Sequence, residues 1–180
     1  MSPAPVIALD GHTRLRPWAP DDAPALYAAI DTNREHIARW LSWAEAYTPE
    51  AAAEFIERVT IASADGRHEL CLEVDGAVAG GCGWVRLDQT DREGEIGYWL
   101  AAPYTGRGLM TRAAEALTEH GFRDLGLHRV VIAALAGNTA SRAIPGRLGF
   151  REEGTFRSAR RHRGEWHDIV WYATTEDEWR

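Results

Sequence analysis

The sequence predicts one mixed α/β domain over residues 1–180, with helices packed beside a sheet. Three observations support this fold class. The length of 180 residues suits one domain with a substantial hydrophobic core. Strand and helix patterns follow in the order strand, helices, three strands, helix, strand, helix and two strands. The helical pattern near the middle of the chain lies between two strands and acts as one crossover.

The first part of the chain predicts a strand followed by helices. A strand is expected over residues 14–18, and a helix begins at the aspartates 21–22, because carboxylates are favourable at the positive end of a helix. An aromatic-rich stretch occupies residues 33–43. Thr48 is the expected N-cap of the next helix, and Pro49 takes its first position.

Three strands are predicted in the middle of the chain. Residues 70–74 and 77–87 form a hairpin, because Asp75-Gly76 between them favours a tight two-residue turn. The glycines of residues 80–83 indicate a bulge or close packing in the second strand. A third strand covers residues 95–100.

The last part of the chain predicts two helices and three strands. Gly106-Arg107-Gly108 leads into the first helix. Residues 130–135 are a continuous apolar run, which is typical of a strand buried on both faces. A short helix starts at Asn138, a strand follows Phe150, and a last strand covers residues 166–173.

Composition narrows the classes of partner. The chain has 20 basic side chains against 27 acidic ones and a net charge of −7, so nucleic acid is not expected as a partner. No apolar run of about 20 residues is available to span a bilayer, and the first residues lack a signal-peptide pattern, so we expect no membrane partner and a cytoplasmic protein. Cys71 and Cys82 lack zinc-ligand spacing, so we expect buried thiols and no metal.

Four arginines cluster near the C-terminus. They belong either to a mobile, solvated loop or to a contact with an anionic partner or with coenzyme phosphates, and the sequence leaves both open. The four are Arg157, Arg160, Arg161 and Arg163.

One segment predicts an anion site. The strand over residues 95–100 is followed by Gly106-Arg107-Gly108 and then directly by a helix. Glycines allow a sharp turn, and the free N–H groups of a first helical turn bind anions with help from the helix dipole. The backbone amides of residues 106–110 can therefore hold a pyrophosphate. The third glycine of the dinucleotide fingerprint is missing, so this is a different kind of phosphate site.

Several segments together resemble the GNAT acetyltransferase superfamily, and within it the ribosomal-protein N-acetyltransferases of the RimJ/RimL type. The resemblance extends over essentially the whole chain. It implies a mostly antiparallel seven-stranded sheet whose central parallel strands splay apart, with flanking helices. The segments that carry it are Asn33-Arg34-Glu35-His36, Trp40-Leu41-x-Trp43, Glu95-Ile96-Gly97-Tyr98-Trp99-Leu100, Gly106-Arg107-Gly108, Leu125-Gly126-Leu127-His128-Arg129, Asn138-Thr139-Ala140-Ser141, Leu148-Gly149-Phe150 and Gly164-Glu165-Trp166-His167-Asp168.

The resemblance implies that acetyl-coenzyme A is the cosubstrate. Its pantetheine arm is expected between the strands over residues 95–100 and 130–135, with its sulfur near Ser141. Its pyrophosphate is expected on the glycine turn. The cofactor-binding residues implied in this way are Trp99, Leu100, Ala101, Gly106, Arg107, Gly108, Leu109, Met110, Thr111 and Asn138.

The resemblance also implies direct attack of an amine on the thioester in a ternary complex. Many relatives carry an acidic tyrosine seven residues after the asparagine, but Pro145 stands there, so Ser141 is expected to take the acid role, as in the RimL-like subset. Pro145 also predicts a kinked or short helix. Glu95 is the candidate base, or else a solvent-facing carboxylate at a strand edge. Pro103 replaces a usual Gln or Arg, and we expect a backbone cradle to tolerate it.

The acceptor remains open at this level. It is the α-amine of a protein N-terminus, or a small-molecule amine such as an antibiotic or peptide-like metabolite, or there is none and the chain only binds acyl-coenzyme A. Candidate acceptor-binding residues are Glu35, His36, Trp40 and Trp43, with core packing as the alternative for the tryptophans. A homodimer is compatible with the resemblance.

Overall fold

The fold is built on one open sheet, seen in a computed structural model that describes residues 4–62 and 68–179. Within these residues the strands number eight. They are β1 (Ile7–Ala8), β2 (Thr13–Pro17), β3 (Glu69–Val74), β4 (Ala77–Asp88), β5 (Glu93–Leu100), β6 (Arg129–Leu135), β7 (Arg151–His162) and β8 (Glu165–Thr175).

The order of the strands is β1-β2-β3-β4-β5-β6-β8-β7. Neighbours are antiparallel except β5 and β6, which are parallel, so the predicted mixed and mostly antiparallel sheet is confirmed. The predicted number of seven strands is wrong, because β1 adds an edge strand through the pairs Ile7↔Leu15 and Ala8↔Arg14. A two-residue strand leaves no periodic pattern, so its partner decides its conformation.

Helices cover both faces of the sheet. They are α1 (Ala23–Thr32), α2 (Arg34–Ala38), α3 (Pro49–Ala62), α4 (Leu109–Arg123) and α5 (Thr139–Arg147). The predicted cap of α3 is confirmed, since Thr48 Oγ1 accepts the Ala51 N–H at 3.1 Å. The aspartates at 21–22 belong to a 3₁₀ turn that precedes α1. Helix α4 is the crossover between β5 and β6.

Each face of the sheet has its own core. On one face, Trp84 and Ile96 pack with Leu117 of α4. On the other face, Leu26 and Ile56 of α1 and α3 pack together. The sheet therefore separates an α4/α5 face from an α1/α3 face, and a ligand between two strands can touch both.

Three further predictions are settled by the fold. Cys71 and Cys82 are buried free thiols, and burial raises the pKa of each to about 12. The arginine cluster of residues 157–163 belongs to β7 and its turn, so the expectation of a loop is wrong. Helix α5 is short, with nine residues, and ends two residues after Pro145.

In the described part of the chain, no helix is long and apolar enough to span a membrane, and no group of acidic, His and Cys side chains could hold a metal.

We predict that Gly94→Ala destabilises the α4/α5 face. A Cβ at Gly94 would lie 2.6 Å from Cζ3 of the buried Trp84 ring and 2.9 Å from Leu127 Cδ1. Both contacts are rigid, so the free energy of unfolding should fall by about 1–3 kcal/mol in urea denaturation. Gly154→Ala is the matched control, because that strand glycine has nothing within 4 Å of its Cβ position. Equal stability of the two variants would contradict the packing described here.

Candidate active site

The site begins where β5 and β6 stop pairing. They pair in register from Glu93↔Arg129 to Ile96↔Ile132, and beyond that point neither strand bonds the other. Strand β5 instead stays with β4 as far as Gly80↔Leu100, and β6 stays with β8 as far as Leu135↔Ile169. Each strand follows its other neighbour, so the predicted splay of the parallel pair is present.

A cleft of about 1380 Å³ opens at the splay. It is larger than a usual pocket for a small ligand of about 300–1000 Å³, which leaves room for a long coenzyme arm and an acceptor. Residues from both faces of the sheet line it. The predicted site residues among them are His36, Trp40, Trp43, Glu95, Trp99, Leu100, Gly106, Gly108, Leu109, Met110, Thr111, Asn138 and Ser141.

Three predicted site residues do not line the cleft. Glu35 faces a separate depression beside Asp31 and Glu45. Ala101 is buried, and its N–H already donates to Ala79 O at 2.8 Å, so that amide is not available to a coenzyme. The Arg107 guanidinium lies 5.7 Å from the centre of the Tyr104 ring.

The glycine turn presents unbonded backbone donors. Gly106 and Gly108 have φ of +73° and +70°, a conformation that favours glycine. Among the described residues, no acceptor is bonded to the backbone N–H of residues 106–111, and the first amide of α4 that bonds back is that of Arg112, to Gly108 O at 3.1 Å. The N-cap Gly108 has no side chain to satisfy them. These donors and the dipole of a 15-residue helix fit a pyrophosphate.

Arg112 adds a cation beside this cradle, and sequence reasoning missed it. Its side chain lines the cleft and pairs with Asp10 at 3.0 Å. Its Nε is buried and has no acceptor within the described chain, which is an unusual state for a charged donor. Its position one helical turn after Gly108 is the signal that could have found it.

Ser141 lies at the opposite wall of the splay, in the first turn of α5. Asn138 is the N-cap, and its Oδ1 accepts the Ser141 N–H at 3.1 Å. The Ser141 hydroxyl donates to the Tyr98 hydroxyl at 3.2 Å, and that hydroxyl in turn donates to the Ser141 carbonyl at 3.1 Å. Hydrogen bonds of the Tyr98 side chain therefore join β5 to α5 beyond the point where β5 and β6 stop pairing.

Pro145 explains why the Ser141 carbonyl is available. In a regular helix this carbonyl accepts the N–H of the residue four positions later, and a proline has none. Tyr98 supplies the missing donor. Burial raises the pKa of Tyr98, so the phenol keeps its proton at neutral pH. Pro145 stands where many members of the resembled superfamily carry an acidic tyrosine, and its missing N–H leaves the Ser141 carbonyl to the Tyr98 hydroxyl.

Strand periodicity places Tyr98 there. Ile96, Tyr98 and Leu100 belong to the α4/α5 face, whereas Trp99 packs on the α1/α3 face. In the sequence, Tyr98 belongs to the motif of residues 95–100 and has no predicted role of its own. The alternation of the strand, taken with the proline in α5, is the signal that could have identified it.

Aromatic side chains form the wall on the α1/α3 face. The Trp99 ring is packed so closely on Gly81 that a Cβ there would lie 2.7 Å from its Nε1, which confirms the predicted close packing of the glycine run. Trp43 meets Trp99 edge-on at 6.5 Å and Tyr47 at 5.5 Å. Trp43 is 44% exposed, so it is not a core residue.

Glu95 is on the same strand at the paired end of the splay. It lines the cleft, its side chain is only 17% exposed, and its nearest cation is Arg86, with Nε 3.6 Å from Oε2. Glu95 therefore borders the cleft with a side chain that is mostly covered, and its role as a base stays a prediction.

Comparison with known proteins identifies this architecture. A family model described as "Acetyltransferase (GNAT) domain" matches residues 12–151. The putative ribosomal N-acetyltransferase YdaF of Bacillus subtilis is 37% identical over 174 residues, 93% of each chain.

Two solved structures agree closely in fold. RimJ of Mycobacterium smegmatis, in complex with a CoA disulfide, has a TM-score of 0.86 at 28% identity and covers 97% of this chain and 87% of its own. The microcin C7 self-immunity acetyltransferase MccE, in complex with acetyl-CoA and AMP, has a TM-score of 0.88 at 26% identity, with coverages of 93% and 94%.

We predict that Gly106→Ala weakens coenzyme binding. No atom lies within 4 Å of the new Cβ, so the effect comes only from the positive φ. That conformation costs a residue with a Cβ about 1 kcal/mol. Because the free turn can relax away from it and binding must restore it, the dissociation constant for coenzyme A should rise about fivefold in calorimetric titration. Gly126→Ala is the control, since Gly126 has φ of +64° and equally open space, away from the cleft. Equal affinity for both variants would count against the cradle.

Proposed function

Since this chain belongs to the GNAT family of acetyl-coenzyme A-dependent N-acetyltransferases, we propose that it acetylates the α-amine at the N-terminus of a protein. The observation that carries the proposal is the set of free amides at residues 106–111, which lies on the same cleft as Ser141. The relative YdaF, named as a putative ribosomal N-acetyltransferase, supports a ribosomal protein as the acceptor.

The acceptor amine must be neutral before it attacks. An α-amine has a pKa of about 7.8 and a lysine side chain about 10.4, so at pH 7 the neutral form costs about 1 kcal/mol for the first and about 4.6 kcal/mol for the second. A weak base is therefore sufficient for an α-amine. The Glu95 carboxylate, within the cleft and on the face of Trp99, takes this proton through a water molecule.

The transfer forms a C–N bond and breaks the C–S bond of the thioester. The departing thiolate belongs to a thiol with a pKa of about 8.5, so it needs a hydrogen-bond donor more than a strong acid. The Ser141 hydroxyl turns from Tyr98 toward the sulfur and donates to it. The attacking nitrogen releases a second proton to water as the amide forms, and the proton that finally resides on sulfur comes from water. Both cysteines are buried with raised pKa, so neither is a nucleophile.

Tyr98 positions Ser141 rather than relaying a proton. Its one hydroxyl proton is bonded to the Ser141 carbonyl, and its raised pKa opposes release of that proton. It holds the first turn of α5 at a fixed distance from β5, and with it the serine hydroxyl.

A small flat amine is the second candidate. The aromatic wall of Trp40, Trp43 and Trp99 would stack on such a molecule, and MccE, a structural neighbour, was solved with acetyl-CoA and AMP.

A thiol-release assay that compares N-terminal peptides with aromatic and aliphatic amines separates the candidates. We expect higher kcat/KM for peptides with a free α-amine than for the same peptides blocked at the N-terminus and offering only lysine. Turnover of small amines alone would contradict the proposal that the acceptor is a protein. Coenzyme binding without any turnover would contradict the proposal that the chain is an active enzyme.

We predict that Ser141→Ala lowers kcat about 10- to 100-fold, and Tyr98→Phe about tenfold, each with little change in coenzyme affinity. The two losses should not add in the double variant, since Tyr98 acts through Ser141. Steady-state kinetics with a coenzyme titration measures both effects.

Tyr172→Phe is the control for Tyr98→Phe. It removes another tether of α5, the 2.8 Å bond from Arg142 Nε to Tyr172 OH, without touching Ser141. Its kcat should stay near that of the parent. A loss equal to that of Tyr98→Phe would mean that any anchor of α5 suffices, and additive losses in the double variant would separate Tyr98 from Ser141.

A further inference from the structure

Four arginines near the acceptor side of the cleft have no acidic partner. Most arginines in the described chain are ion-paired, but six form no ion pair with a described carboxylate. Two of these are Arg107 and Arg147, and the other four, at the end of α2 and on β7, are Arg39, Arg157, Arg160 and Arg161. All four are exposed. We call this set the arginine rim. In a protein of net charge −7, such a concentration of unpaired cations requires an explanation.

The rim borders the cleft from two segments of the chain. Arg160 lines the cleft directly, and Arg157 and Arg161 are close neighbours on the same strand, β7. Arg39 follows α2, and its guanidinium lies 5.3 Å from the ring centre of Trp40, which also lines the cleft. His162 Nε2 lies 3.0 Å from Arg39 O, so the two segments are in contact.

Two of the three acids nearest the rim already have a partner. Glu45 pairs with Arg163 at 2.6 Å. Asp168 Oδ1 accepts the N–H of Ser158 at 2.8 Å, at a bulge where β7 loses register between Phe156 and Arg160. Glu165 pairs in register with His162 but forms no ion pair among the described residues. The bulge interrupts the ladder and leaves the arginines of this edge strand toward solvent.

The cleft itself carries charges of both signs. Glu54, Glu69 and Glu95 line it, and so do Arg58, Arg112 and Arg147. Glu69 pairs with Arg58 at 3.0 Å, Arg112 pairs with Asp10 at 3.0 Å, and Glu95 lies 3.6 Å from Arg86. Of the three glutamates, Glu95 has the least exposed side chain, so it is the carboxylate best placed to receive an ammonium group inside the cleft.

From the arginine rim and the Glu95 carboxylate we infer that the acceptor polypeptide carries acidic residues directly after its N-terminal amine. Its ammonium group meets the Glu95 carboxylate, and its Asp and Glu side chains meet the arginine rim. A polyamine would be repelled at the rim. The inference rests on the proposed function, because it assumes that the acceptor enters by its N-terminus.

The test uses matched peptides that share their first two residues and differ only in the following ones, which are all Glu, all Gln or all Arg. We expect kcat/KM to fall in that order, by about tenfold from the acidic to the neutral peptide at low salt, since several exposed charge pairs each contribute modestly. The preference should shrink at high salt. The triple variant Arg157→Gln, Arg160→Gln, Arg161→Gln should lose most of the preference. Arg123→Gln is the control, because Arg123 is exposed on α4 and has only a 3.8 Å pair with Glu119.

A binding measurement separates the two hypotheses. Fluorescence anisotropy with the same peptides, already acetylated at the N-terminus, reports on the rim without turnover. If affinity falls from the acidic to the basic peptide but no peptide is acetylated, the proposed function is wrong and the role of the arginine rim in binding acidic residues stands. If peptides are acetylated and bound with no dependence on their charge, the role of the arginine rim is wrong. Tighter competition by a single-stranded RNA than by the acidic peptide would also overturn it, in favour of a nucleic-acid surface.

Discussion

The parting of β5 and β6 after Ile96 and Ile132 is the constraint on which the site depends. If β5 and β6 paired along their whole length, their facing backbone groups would bond each other and no gap would remain between the strands. Because β4 and β8 carry the two strands in different directions, the gap passes through the sheet and connects its two faces. A coenzyme can then lie on the α4/α5 face while the acceptor enters from the α1/α3 face, and the two reactants meet between the strands.

An open gap in a sheet needs other bonds to hold its width. The glycine turn after β5 ends in the first turn of α4, whose unbonded amides are available only to a ligand. On the other side, the two hydrogen bonds between Tyr98 and Ser141 replace the missing ladder. The protein thus leaves one side of the gap to the ligand and fixes the other side by its own side chains, so the first turn of α5, which carries Ser141, is held in place before any substrate arrives.

Local features of the sequence predicted much of this fold. The Asp75-Gly76 hairpin, the Thr48 cap and the glycine turn each depend on a few adjacent residues, and each appears in the structure. The features that sequence could not show depend on distant partners or on orientation. The bonds of Tyr98 join residues 43 positions apart. Helix α2 has only five residues, too few for periodicity to show that Glu35 and His36 would face different depressions.

The proline in α5 restricts how this site can change. A residue with an amide at position 145 would bond the Ser141 carbonyl itself, as an ordinary helix does, and would deprive the Tyr98 hydroxyl of its acceptor. Introducing the tyrosine that other family members carry would therefore compete with the one already in use. The two arrangements exclude each other, and a lineage that passes between them has to change the strand and the helix together.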